Sequence, residues 1–346
     1  MALLGTDSTE ATDLRGALVG GLVNESVMQT ITDISKIPLP LTNMIGSGSH
    51  GNNYHSWTKD KLQAVDIANQ EIDGRDSSTD QTNIGSRVGN FSTISTKDIS
   101  VSTRADASDT IGFAKATAYQ MRMRNEELHR DVEAMMLSNN ASLEGTAAAA
   151  STTGGLNAWI ETNIGAAAIP GTAGGFDAGI VAAYTAGTKE ALSEEKVRDV
   201  AQAVYEEGGN PTVMMMTPSV CRKFSEYLFT SSARIATLTS ETTQSKEAAT
   251  AKGSVNVFVT DFGVTLDLIP NRLQQDTAAG VSTAFLIDPS KLELSFLSGY
   301  RSERLSKKGL SEQWLMSVDW TLVVHAEEAH GMIPDIDNTL ACVAAI

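Results

Sequence analysis

Any chemistry in this chain would come from five histidines, two cysteines and a surplus of carboxylates. His325-Ala-Glu-Glu-Ala-His330 sets two imidazoles five residues apart with two carboxylates between them. A helical zinc pair needs imidazoles one turn apart, about four residues. This stretch reads instead as the continuation of an alternating strand, where residues five apart face opposite sides. No metal site is therefore expected. Met214, Met215 and Met216 are soft ligands by type, but a run inside a short apolar strand is the pattern of core packing. Cys221 and Cys342 lie far apart, without metal-like spacing, and are expected to be reduced, buried thiols. The small-residue stretches Gly145–Gly155 and Gly165–Gly187 are not followed by Gly-Lys-Ser or Gly-Lys-Thr, so neither is a phosphate cradle. There is no nucleophile elbow. The carboxylate pairs Glu126-Glu127 and Glu327-Glu328 are adjacent in sequence and so diverge on a helix or a strand. No cofactor and no catalytic residue are expected. Arg301, Arg304, Lys307 and Lys308 form the one local basic cluster where phosphate or an acidic neighbour would bind, with a solvated loop as the default.

The bulk numbers narrow the class. The 346 residues suffice for one large core or two moderate domains, and 41% hydrophobic content fits a globular chain. With only 5% aromatics, that core must rest on Val, Ile, Leu, Met and Ala. A formal net charge of -16 argues against tight binding to nucleic acid or to an anionic membrane. The opening residues lack the basic start and apolar run of a signal peptide, and no apolar run is long enough for a membrane helix. The expectation is a protein made and used in water, in a reducing compartment.

The elements that would position functional groups follow an unusual order. The first stretch, to Asn53, has a weak apolar pattern (Leu14, Leu18, Leu22, Val27) and ends in the flexible Gly46–Asn53 connector, so it reads as an arm. Tyr54–Asp66 and Val88–Val101 read as two β-leaning arms around the polar tip Gly74–Gln81. Such a long hairpin buries little against its own chain and is marginal unless a partner covers it. Thr110–Asn139 reads as one helix, about 45 Å long, with Ala114, Ala118, Met121, Asn125, Leu128, Val132 and Met135 at spacings of three and four. Its other face carries Arg122, Arg124, Glu126, Glu127, Arg130, Asp131 and Glu133. There, Arg122–Glu126 and Glu126–Arg130 are four-apart pairs, each worth about a few tenths of a kcal/mol.

Further on, Ser193 caps a helix to Gly208, Thr212–Thr217 is a strand buried on both sides, and Thr217-Pro218 opens another helix. Val255–Ile269 reads as a hairpin turning at Asp261-Phe262-Gly263. Leu292, Leu294 and Phe296 alternate. So do Trp314, Met316, Val318, Trp320, Leu322 and Val324, the strongest strand signal in the chain.

This order resembles the major capsid proteins of tailed bacteriophages, the Hong Kong ninety-seven fold. Local stretches carry the resemblance too: Val88-Gly89-Asn90-Phe91 with Lys97-Asp98-Ile99-Ser100-Val101, Glu127–Glu133, Gly154-Gly155-Leu156-Asn157-Ala158-Trp159-Ile160, and Asp319-Trp320-Thr321-Leu322 with Ala329-His330-Gly331. The resemblance implies an α+β fold with an N-terminal arm (1–53), an E-loop (54–101) and a spine helix with its following loop in a peripheral domain (102–160). An axial domain (161–282) and returning peripheral strands (283–346) would complete it. It implies a structural shell subunit that forms pentamers and hexamers of itself around double-stranded DNA. Its other partners would be a separate scaffolding protein, a portal and a cement protein. Such a subunit is assembled in the host bacterial cytoplasm, without a membrane, and ends in the virion. Lys59 and Lys61 lie low on the excursion and its tip has no lysine, so the family's Lys–Asn cross-link is not expected.

Candidate subunit contacts are Asp73, Arg75, Asp76 and Arg87 on the excursion, the helix charges Arg122, Arg124, Glu126, Glu127, Arg130 and Asp131, and the Arg301–Lys308 cluster. The alternatives are an encapsulin-like compartment of the same fold and a soluble α+β enzyme.

Overall fold

The computed structural model describes residues 31, 35–70, 72–74, 85–165, 167–228, 257–307 and 309–342. The expected arm helix around Leu14–Val27 and most of the excursion tip lie outside them.

In chain order the elements are α1 (Pro40–Met44), β1 (Gly46–Ser49), β2 (Tyr54–Lys59), β3 (Ser86–Phe91), β4 (Thr93–Ser102), α2 (Thr103–Ala107), α3 (Ala116–Met136), α4 (Leu156–Trp159), β5 (Gly175–Asp177) and β6 (Ile180–Ala182). There follow α5 (Glu194–Glu206), β7 (Val213–Met216), α6 (Pro218–Leu228), β8 (Val257–Val259), β9 (Thr265–Pro270), β10 (Val281–Ile287), β11 (Leu292–Arg304), β12 (Ser311–Val324) and β13 (Gly331–Asp337). One sheet runs β1-β11-β12-β4 and another β13-β10-β7-β9-β8, with two-stranded ribbons β2-β3 and β5-β6.

The five-stranded sheet is the wall between two cores. Strand side chains alternate, so one strand can serve both faces. In β7, Val213 and Met215 join a cluster containing Leu128, Trp159 and Trp320, while Met214 and Met216 join one containing Val197, Phe224 and Leu266. In β10, Phe285 and Ile287 face the first core, and Ala284 and Leu286 the second. The Met run is thus buried core on both sides, as its sequence setting implies.

Ser193 Oγ accepts the amide of Lys196 and caps α5, and β8 pairs antiparallel with β9 around the Gly263 turn. The long helix is shorter than its periodicity suggests: 21 residues, about 32 Å. Gly112 adopts φ +85° and Lys115 is extended, so the chain turns before the helix starts. The carboxylate of Asp106 then takes the Thr117 amide at 2.9 Å and its hydroxyl at 3.0 Å, capping α3 from α2.

Three expectations are revised. The returning arm Val88–Val101 is two strands: β3 pairs with β2, whereas β4 pairs with β12 along its whole length. Ser92 divides them, its amide donating to Asn53 O. The chain division expected at 282/283 runs through β10, and β13 joins the five-stranded sheet rather than returning beside the long helix. Finally, β12 stops at Val324, and Glu327–Ala329 form a 3-10 turn instead of continuing the strand.

Candidate subunit-contact surfaces

The excursion is built from two unequal parts. Its root is fastened to the body of the same subunit. The indole of Trp57 donates to Val324 O at 3.0 Å and lies 5.5 Å from the ring of Trp159. Asn90 is fully buried and donates to Thr153 Oγ1, Gly154 O and Leu322 O, while its oxygen accepts the Gly154 amide. Lys59 pairs with Glu328 at 2.7 Å, and Lys61 pairs with Glu207.

Beyond Lys59 the described backbone leaves strand geometry, and its apolar side chains face solvent. Leu62 is 94% exposed, Val65 90%, Ile67 92% and Ile72 80%. Four large apolar side chains on one short segment form a patch that an isolated soluble chain does not leave open.

The candidate charges separate into three groups. Asp73 is exposed in a turn; Arg75, Asp76 and Lys308 lie outside the described residues. Arg87 is exposed and donates through Nε and Nη2 to Ser56 Oγ of the adjoining strand, at 2.9 and 2.7 Å. On α3, Arg122 pairs weakly with Glu126 at 3.9 Å, and Arg124 pairs with Glu127 at 2.5 Å. Asp131 pairs with Lys97 of β4 at 2.6 Å, so that charge serves the subunit itself. Glu126, Glu127 and Arg130 line a cleft of about 420 Å³ between α3 and the segment 35–43, with Lys36, Leu39 and Met123. The buried Nε of Arg130 finds no hydrogen-bond partner among the described residues, and no Glu126–Arg130 pair forms there.

The basic cluster is not a free loop. Arg301 and Arg304 belong to β11. Arg304 and Lys307 both reach Glu312, at 2.7 and 2.9 Å, and Arg301 lies 3.7 Å from Glu303. The hydrogen bond from Lys307, and then the charge of Arg304, hold the Glu312 carboxyl below its ordinary value. Arg304 and Lys307 thus share one carboxylate of the same chain, and Arg301 lies beside another.

Sequence reasoning missed the buried carboxylate of Glu133. It accepts the Leu41 and Thr42 amides at 2.8 Å, the Thr42 hydroxyl, and Asn271 Nδ2 at 2.9 Å. Its place in a charged run disguised it. His330 is fully buried, and burial lowers its pKa to about 4. Its Nδ1 accepts the Asp288 amide at 3.3 Å, so it is a core histidine. Among the described residues no group of three or more metal-ligating side chains forms a site, and no helix is long and apolar enough to cross a membrane.

Solved structures share this fold across nearly the whole chain. The capsid of cyanophage A-1(L) matches with TM-score 0.59 and 11% identity, over 91% of this chain and 98% of that one. The capsid of a native GTA particle matches with TM-score 0.57 and 13% identity, over 92% and 97%. The holo-SrpI encapsulin complex of Synechococcus elongatus matches with TM-score 0.55 and 12% identity, over 94% and 96%. The class is therefore the phage capsid fold, α+β. The family is given by sequence: residues 6–337 match the SU10 major capsid protein model, and the chain belongs to that family. No curated protein matches it. It is a structural capsid protein of the virion shell, and its kind assembles into oligomeric shells.

Proposed function

We propose that this chain builds an icosahedral shell as pentamers and hexamers of itself, with the excursion of each subunit seated on a neighbour. The observation that carries this is the exposure of Leu62, Val65, Ile67 and Ile72 beyond a root so firmly fastened. Burying them would withdraw several hundred Å² of apolar surface per subunit, at about 25 cal/mol per Å².

In this reading residues 1–53 form an arm, β2 and β3 with the segment between them the excursion, β4 with α3 and its loop to residue 160 the peripheral part, residue 161 to the end of β10 together with β13 the axial part, and β11 and β12 the returning strands. The shell encloses double-stranded DNA without gripping it, since an acidic subunit of net charge -16 repels phosphate. A separate scaffolding protein, a portal and a cement protein complete the assembly in the host bacterial cytoplasm. The protein acts by association and carries out no catalysis. The candidate charges on α3 other than Asp131, with Asp73, Arg75, Asp76 and Arg87, contribute to contacts between subunits.

Electron microscopy with sedimentation tests the reading, on the chain alone and with scaffold and portal supplied. Closed shells, or five- and six-membered rings, are expected. Small asymmetric oligomers under both conditions would overturn it. Shells that contain protein cargo in place of DNA would favour an encapsulin-like compartment.

A further inference from the structure

The fastened root of the excursion contains a group that its role as a contact arm does not require. Residues His55, Trp57 and Lys59 alternate onto one face of β2, the face that meets the body. His50, just past β1, lies under the same face. Its Nε2 is 2.7 Å from Ser92 Oγ and its Nδ1 3.0 Å from Ser295 Oγ. Its ring centroid is 5.0 Å from that of His55, which lies 5.8 Å from Trp57, which in turn lies 6.5 Å from His325. Three imidazoles and an indole thus form one row where β1, β2, β11 and the end of β12 converge.

We infer that this row is an acid-released clasp: it holds the excursion root on its own subunit while His50 and His55 are neutral, and lets the root swing away when they are protonated. Two imidazolium rings at 5.0 Å would repel each other. The charged and titratable groups facing the pair are His325 and Glu293 of β11, which lie 3.4 Å from each other. One carboxylate cannot balance two cations. Lys59 is next along the seam, paired with Glu328 and near Glu327. On the opposite face of the ribbon, Arg87 sits near Tyr54 and adds positive charge.

The direction of the titration agrees with this geometry. Burial first, then His55, lowers the pKa of His50. Burial lowers that of His55, with Glu293 opposing and His325 assisting. A base with a lowered pKa in the docked state takes up protons on release. Docking is therefore at full strength above the free-histidine value of about 6.5 and weakens as the pH falls from there toward the lowered values. The inference concerns a subunit's hold on its own excursion, so it stands apart from whether shells form.

Hydrogen exchange of the full-length chain at about pH 7.5 and about pH 5.5, corrected for intrinsic rates, reads it directly. One proton taken up per opening raises the opening equilibrium about tenfold per pH unit. In the wild type, β2 and β3 should open about tenfold or more at the lower pH relative to β12. In His50→Gln/His55→Gln the ratio should stay within about threefold. Equal protection of wild-type β2 and β3 at both pH values would overturn the inference. So would an acid response in the double variant as large as the wild type's, which would move the cause to the Lys59–Glu328 pair. If the double variant does not fold, His55→Gln alone should show a smaller acid response than wild type, and an unchanged response would overturn the clasp.

Discussion

Glu133 and Arg122 lie eleven positions apart in one charged stretch, yet their environments are opposite. Glu133 is fully buried and receives four hydrogen bonds that tie the segment Leu41–Thr42 and Asn271 to α3. Removing that acceptor leaves buried donors unpaired, each costing about 1–3 kcal/mol. Glu133→Ala should lower stability by about 3–5 kcal/mol in urea unfolding. Arg122→Ala, on an exposed weak pair, should change it by less than about 0.5 kcal/mol. His330 supplies a second residue-scale test. Its buried ring takes up a proton only near pH 4, whereas an unfolded chain does so near 6.5. Its contribution is thus complete above about 6.5 and is lost as the pH falls toward 4, at about 1.4 kcal/mol per pH unit. His330→Gln, which keeps an acceptor for the Asp288 amide, should flatten the stability profile between those values relative to wild type. An unchanged slope would mean that carboxylates set it.

At the scale of elements, α3 presents Glu126, Glu127 and Arg130 to a cleft where the Arg130 Nε remains unpaired among the described residues. Glu126→Lys should leave the helical circular dichroism spectrum unchanged and reduce shell yield severalfold. An unfolded variant would assign the charge to folding instead. The elements most legible from sequence were those whose signal is local. The cap at Ser193, the buried Val213–Met216 strand and the alternation of Trp314–Val324 all depend on neighbours within a few residues. What failed to read was the result of distant contacts. Nothing near Ser92 announces that β3 and β4 part there, because the cause is β12, more than 200 residues later. The buried role of Glu133 is equally invisible, since its partners are 91, 92 and 138 residues away. Periodicity overextended α3 at its start, where Gly112 turns the chain.

The whole molecule has two cores but one wall between them. Val213 and Met215 pack into one core and Met214 and Met216 into the other, from four consecutive residues of a single strand. Neither core can lose its packing without exposing one face of the strands that complete the other, so the two should fail together. The tryptophans report on the first core, while the helical signal comes from both, from α3 through Leu128, Val132 and Met136 in the first and from two helices in the second. Trp159 and Trp320 lie in the first core, and Trp57 and Trp314 pack against it. The apolar stripe of α5, Val197, Val200, Ala201 and Val204, lies in the second, with Val220 and Phe224 of α6. Urea unfolding followed by tryptophan fluorescence and by helical circular dichroism should therefore give coincident midpoints, the mark of one cooperative unit. Helical signal surviving after the tryptophans are exposed would show that the second core stands alone. The five-stranded sheet would then be a boundary that each side can lose separately.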